Sequence, residues 1–152
     1  MFVEVFRRSG LPSFIGLLPA LLVLGSLSGC GGDAYDTVDI SGTVTYEDGS
    51  LIPAEQIMVE FNSQQKNLDE KTYPRIGKAE VNVKDGKFDV VSTYNFGDGV
   101  IVGEHKVVVK AYQNGAPSHK FFPKTYSDVT TTPLKITVGA EREFPIKLPK
   151  AR

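Results

Sequence analysis

The sequence is short of the residues on which most small-protein chemistry rests. Its 152 residues include one cysteine, Cys30, and two histidines, His105 and His119. A lone cysteine closes no disulfide within the chain, so a folded domain here is held by its core. The histidines are far apart in sequence, form no His-x-His pair and have no second cysteine at metal spacing, which argues against a zinc site. No Gly-x-Ser-x-Gly elbow presents a nucleophile, and the serines fall in turns and loops. There is no excess of one charge either: 17 Lys and Arg face 18 Asp and Glu, a net charge of −1, which removes the electrostatic basis for nucleic-acid binding. After residue 30 no segment sustains a helical period over three turns.

What is present begins with a processing signal. Arg7 and Arg8 precede an uncharged stretch, Leu11 to Leu27, broken by Pro12, Pro19 and small residues. The stretch is a little under the ~20 apolar residues that a spanning helix needs, and two prolines interrupt it. A signal peptide explains it better than a transmembrane anchor does. The residues around Arg7-Arg8 fit a twin-arginine export signal poorly. The stretch closes on Leu27-Ser28-Gly29-Cys30, which resembles the lipobox of bacterial lipoproteins. That resemblance implies cleavage between Gly29 and Cys30, a diacylglycerol on the Cys30 thiol, and attachment to the cell envelope. Gly31 follows the cysteine where an aspartate would signal inner-membrane retention, so transfer to the outer membrane is expected in a two-membrane cell. Residues 1–29 would then be the signal peptide and 30–37 a lipidated tether. Seven residues, Gly31 to Thr37, would reach at most ~25 Å when extended. The mature chain keeps 17 acidic and 15 basic residues, and its length suits a single domain over 38–149.

Within that domain the apolar residues recur with period two. Val38, Ile40, Val44 and Tyr46 alternate with polar neighbours and predict a first strand, which Glu47-Asp48-Gly49-Ser50 turns. Gln56 to Phe61 predicts a second. The polar segment Asn62 to Arg75 has no period and reads as a long loop. Ala79, Val81 and Val83 predict a third strand, and Phe88 and Val90 a fourth beyond Asp85-Gly86. Asp-Gly between alternating runs predicts a hairpin with a type I′ turn, which needs positive φ at both central residues. Glu104 to Tyr112 is the most β-branched run and predicts a central strand with Val107, Val109 and Ala111 inward. After an irregular stretch from Gln113 to Pro133, Leu134 to Val138 and Phe144 to Leu148 predict the last two strands. Pro145 cannot donate to a ladder, which places the final strand at an edge or a bulge. Seven short strands with turns between them fit an all-β, two-sheet sandwich.

Three segments, Val38 to Gly49, Asp85-Gly86-Lys87-Phe88, and Gly103 to Val109, resemble in that order a transthyretin-like, or carboxypeptidase-regulatory-like, domain. Pro123 to Asp128, Thr132-Pro133-Leu134 and a closing strand are similar to small bacterial lipoproteins that carry one such domain after a lipobox. The resemblance implies a seven-stranded Greek-key β-sandwich, transthyretin-like or immunoglobulin-like, in the cell envelope and without a known reaction. Two enzyme families on similar sandwiches are not matched. Intradiol dioxygenases need closely spaced histidines, and hydroxyisourate hydrolases end in Tyr-Arg-Gly-Ser, where this chain ends Leu148-Pro149-Lys150-Ala151-Arg152.

No catalytic residue, metal ligand or cofactor is predicted. His105 reads as a partly buried residue near a strand edge, and His119 as a solvated loop residue. Asp33, Asp36 and Asp39 lack the pattern of a calcium loop and read as a solvated acidic approach. Cys30 is the lipidation residue. Tyr94, Phe96, Phe121, Phe122 and Tyr126 crowd the second half of the domain. Packing explains them best, and a binding surface for glycan or protein, centred on Phe121-Phe122-Pro123, is the alternative. The expected function is a non-catalytic module anchored to the membrane by its lipid, structural or binding an envelope partner. The alternatives are a carbohydrate-binding lipoprotein and, less favoured, an enzyme of unrecognised type.

Overall fold

The computed structural model describes residues 34–151, all of which fall in one compact unit. The expected signal peptide, Gly29, Cys30 and Asp33 lie outside these residues. Among the described residues the fold is all-β, with ten strands and one 3₁₀ turn, Lys124–Ser127. Each of the seven predicted runs overlaps a strand, although Val83 and Val90 fall outside: β2 (Ser41–Tyr46), β3 (Gln56–Ser63), β4 (Gly77–Val81), β5 (Lys87–Phe88), β7 (Gly103–Gln113), β9 (Lys135–Val138) and β10 (Glu143–Leu148). Three two-residue strands join them: β1 (Thr37–Val38), β6 (Val100–Ile101) and β8 (Ala116–Pro117).

The strands form three open sheets. One has the order β10-β2-β5, another β4-β3-β7 with β8 and β9 sharing the far edge of β7, and the third is the short pair β1-β6. β7 is central, as its β-branched run predicts, antiparallel to β3 on one side and to β9 on the other. β10 runs parallel to β2 along all six residues, Glu143 opposite Ser41 and Leu148 opposite Tyr46. It has no second neighbour among the described strands, so Pro145 sits at an edge of this sheet.

Alternation puts one face of each strand into a shared core. Val44 and Tyr46 from β2, Phe88 from β5 and Phe144, Ile146 and Leu148 from β10 meet Ile57, Val59, Phe61, Ala79, Val81, Val107, Val109 and Ala111 from the larger sheet. Phe61 and Phe88 join the two sheets directly, with ring centroids 5.8 Å apart and planes tilted by 52°. Such pairs add about 0.5–1.5 kcal/mol beyond their buried area.

Two turns differ from expectation. The Asp85-Gly86 connection is a longer loop between paired Asn82 and Lys87, and only Gly86, at φ 73°, is left-handed. The Asn82 carbonyl accepts the Gly86 amide at 2.8 Å, and the Asp85 carboxylate accepts the Lys87 amide at 3.1 Å. The extra residues carry the chain from one sheet to the other, since β5 pairs with β2 and its ladder link back past β4 is the isolated Asn82–Lys87 bridge. The type I′ pattern occurs instead at Asn114-Gly115, with φ of 52° and 72°, joining β7 to β8 inside the stretch read as irregular.

Ordered structure also starts before Val38. Tyr35 is buried, and Thr37–Val38 pairs with Val100–Ile101. A lone aromatic and a two-residue strand leave no period to detect.

Candidate functional site

The first described residues fix one end of the domain. The Tyr35 hydroxyl donates to the carbonyls of Lys66 and Thr72, at 3.1 and 3.3 Å, and accepts the Leu68 amide at 3.2 Å. These bonds tie the start of the domain to the loop from Gln64 to Ile76, which the sequence leaves without a period. Asp69 shapes the same loop, accepting the amides of Lys71 and Thr72, each at 2.7 Å, and the Thr72 hydroxyl at 2.9 Å. The Lys71 amide, then the hydroxyl and amide of Thr72, hold its carboxyl below the ordinary carboxylate value.

A second loop, Ser92 to Gly99, lies beside the first. Its organiser is Asp98, whose carboxylate accepts the amides of Thr93, Tyr94 and Asn95 at 2.7, 2.8 and 2.9 Å. Burial opposes the charge, but the amides outweigh it and the carboxyl titrates below its ordinary value. At the loop's end Gly99 packs under the backbone of Val38, where a Cβ would lie 2.1 Å from the Val38 carbonyl oxygen. That contact, with φ of +83°, explains the glycine.

The two loops enclose a hollow of about 150 Å³ lined by Ala34, Lys71, Thr72, Tyr73, Arg75 and Tyr94. The Arg75 guanidinium stands over the Tyr94 ring, 5.3 Å from its centroid, a cation–π contact. The hollow is smaller than the roughly 300–1,000 Å³ of small-molecule sites, which favours a surface contact over an enclosed ligand. Around it the apolar side chains point outward: Leu68 is 62% exposed, Tyr73 60% and Phe96 91%. The remaining exposed large hydrophobics, Leu51, Ile76, Val90 and Val129, are all below half exposure, so the strongest apolar exposure on the described surface is in these two loops.

The five aromatic candidates separate accordingly. Tyr94 and Phe96 belong to this end. Phe121 and Phe122 are 6% and 0% exposed and are part of the core, so the surface expected at Phe121-Phe122-Pro123 has no exposed phenyl ring. The Tyr46 hydroxyl, at the other end of β2, donates to the Phe121 carbonyl at 3.1 Å. Tyr126 is half-buried against the core. Burial of two adjacent phenylalanines in a loop has no periodic signature, so sequence alone does not tell it from display.

His105 is not at an edge. It is 1% exposed in central β7, inward with Val107 and Val109 and edge-on to Phe61. Its Nε2 donates to the Ile101 carbonyl at 2.6 Å. Burial lowers its pKa, against the opposing pull of the Ile101 and Phe61 backbones, so the ring is neutral. His119 is exposed. A larger concavity, about 280 Å³, runs past Gln64, Glu104, Lys106, Lys135 and Thr137 on the outer face of β7 and β9. It carries charges of both signs and no exposed aromatic. Asp36 and Asp39 are exposed, and among the described residues no three His, Cys, Asp or Glu side chains are grouped to hold a metal. No helix among the described residues is long and apolar enough to cross a membrane.

Set against protein-family models, curated proteins and solved structures, the chain matches none.

Proposed function

We propose that the chain is a lipid-anchored module of the bacterial cell envelope, attached through Cys30 and non-catalytic, whose work is structural or partner-binding near the membrane. Its domain is a seven-stranded Greek-key sandwich of transthyretin-like type, and the outer membrane is its destination in a two-membrane cell. One observation carries the reading: an uncharged apolar stretch, small residues and a cysteine occur in that order, and only three residues then separate Cys30 from Ala34, the first described residue of the β domain. The sheet pattern, in which β2 and β10 form one layer with β5 and β7 centres the other, supports the sandwich.

Acylation supplies the membrane affinity, since each buried CH₂ contributes about 0.8 kcal/mol and several chains give stable anchoring where one is marginal. Replacing Cys30 with Ser removes the acceptor thiol. The Cys30→Ser protein is expected to leave the membrane fraction on ultracentrifugation, and its continued sedimentation with membranes would sink the lipid-anchor reading.

A second reading, a carbohydrate-binding lipoprotein, is favoured by one observation: Tyr73 and Tyr94 line the same hollow, with exposed Phe96 in the same loop as Tyr94. Calorimetric titration with envelope glycans separates the two. Saturable binding that Phe96→Ala abolishes would establish the second, and its absence leaves the first.

A further inference from the structure

We infer that the domain stands end-on to the lipid bilayer, with the loops Gln64–Ile76 and Ser92–Gly99 dipping into the membrane interface and the opposite end facing away. The inference rests on the Cys30 anchor. Four residues, Cys30 to Asp33, span at most ~14 Å, and the chain they lead into is fixed at Ala34 and Tyr35. Tyr35 is buried and bonded to the Lys66–Thr72 segment, so the lipid attaches next to that loop and not at the far end. The eight residues of β3 alone span roughly 26 Å at ~3.3 Å each, more than the tether can reach.

The chemistry of this end fits a headgroup layer. Leu68, Tyr73 and Phe96, the three most exposed large hydrophobics among the described residues, surround the same hollow or share its loops. Exposed Lys66, Lys71 and Arg75 accompany them, the arrangement of amphipathic aromatics and cations that interfacial surfaces carry. Asp69 has its carboxylate turned to loop amides and a hydroxyl, and Asp98 turns its own to the amides of the second loop. Both carboxylates keep their charge, and with exposed Glu70 they offset the three cations, so the apolar side chains carry the membrane contact. At the opposite end, Tyr46, Asp48 and Lys150 form a polar corner: Lys150 pairs with Asp48 at 2.8 Å and lies over the Tyr46 ring at 5.1 Å.

The sequence contains no tryptophan, so one introduced indole reports its own surroundings. Phe96→Trp and Leu68→Trp place it in each of the two loops, and Leu51→Trp places it on the turn beyond β2 at the opposite end. The full lipidated proteins are reconstituted into phosphatidylcholine–phosphatidylglycerol vesicles containing lipids spin-labelled near the headgroup, after intact mass has recorded the acyl group. The Phe96→Trp and Leu68→Trp emissions should shift to shorter wavelength and be quenched by the labelled lipid, with Leu51→Trp unaffected. Acylated protein whose two loop reporters stay unquenched would overturn the inference and leave the anchor standing, as would a docked protein partner on these loops in place of lipid. Equal quenching of Leu51→Trp would overturn the end-on orientation. Protein without an acyl group would remove the anchor itself, and the inference with it.

Discussion

The buried imidazole of His105 has to stay neutral as the solution is acidified, while the same residue in the unfolded chain takes up a proton near its ordinary value of about 6.5. Its folded pKa is lowered, so below that value the unfolded state binds more protons than the native state. Stability should therefore be level above about pH 6.5, fall as the pH drops toward the folded pKa, and level again below it. Asp98, Asp69 and Asp128 have lowered values, so their contribution holds above the ordinary carboxylate range and is lost only at lower pH. The two windows are separable. Denaturant unfolding at several pH values should show the histidine slope in the native protein and none in His105→Leu, whose overall stability is reduced by the Ile101 carbonyl left without its donor. A slope that persists in the variant would assign it elsewhere. Phe122 offers a second test at this scale. Fully buried, it should cost about 3–5 kcal/mol on replacement by alanine, read as a lower thermal midpoint. A variant as stable as the native protein would return Phe122 to the surface.

Between elements, the attachment of β1 to β6 depends on the contact of Gly99 with Val38. Gly99→Ala combines a left-handed φ, costing about 1–2 kcal/mol for a residue with a Cβ, with an overlap that the Val38 backbone must move to relieve. The expected result is selective loss of amide-exchange protection at Val38 and Val100, with the β3–β7 ladder unchanged. Uniform loss would mean that β1 is integral to the whole fold. This is also the scale at which the sequence is most and least readable. Residues such as Val107, Val109 and Ala111 alternate along a strand paired on both sides, and half-burial writes itself into the order of side chains. β1, β6 and β8 are two residues long, too short for any period, although Asn114-Gly115 is a turn signal that marks β8. The Asp85-Gly86 turn was legible in place but not in type, because its length is set by the crossing between sheets and not by the dipeptide. The loops of the candidate site are the least legible, since Tyr35 and Asp98 organise them through hydrogen bonds to distant or irregular backbone.

Taken whole, the β domain has two unlike ends. One receives the chain at Ala34 and Tyr35 and displays Leu68, Tyr73 and Phe96; the other closes with Tyr46, Asp48 and Lys150. The four residues from Cys30 to Asp33 and an aromatic end suit the proposed membrane-held domain, and a core of aliphatic and phenyl side chains holds the fold without disulfides. The proposed membrane attachment depends on the chemistry of Cys30. The direct test is the intact mass of the mature protein extracted in detergent from membranes, read with its N-terminal peptide. The account predicts a chain that begins at Cys30 and carries added acyl mass. An unmodified chain retaining residues 1–29 would contradict it.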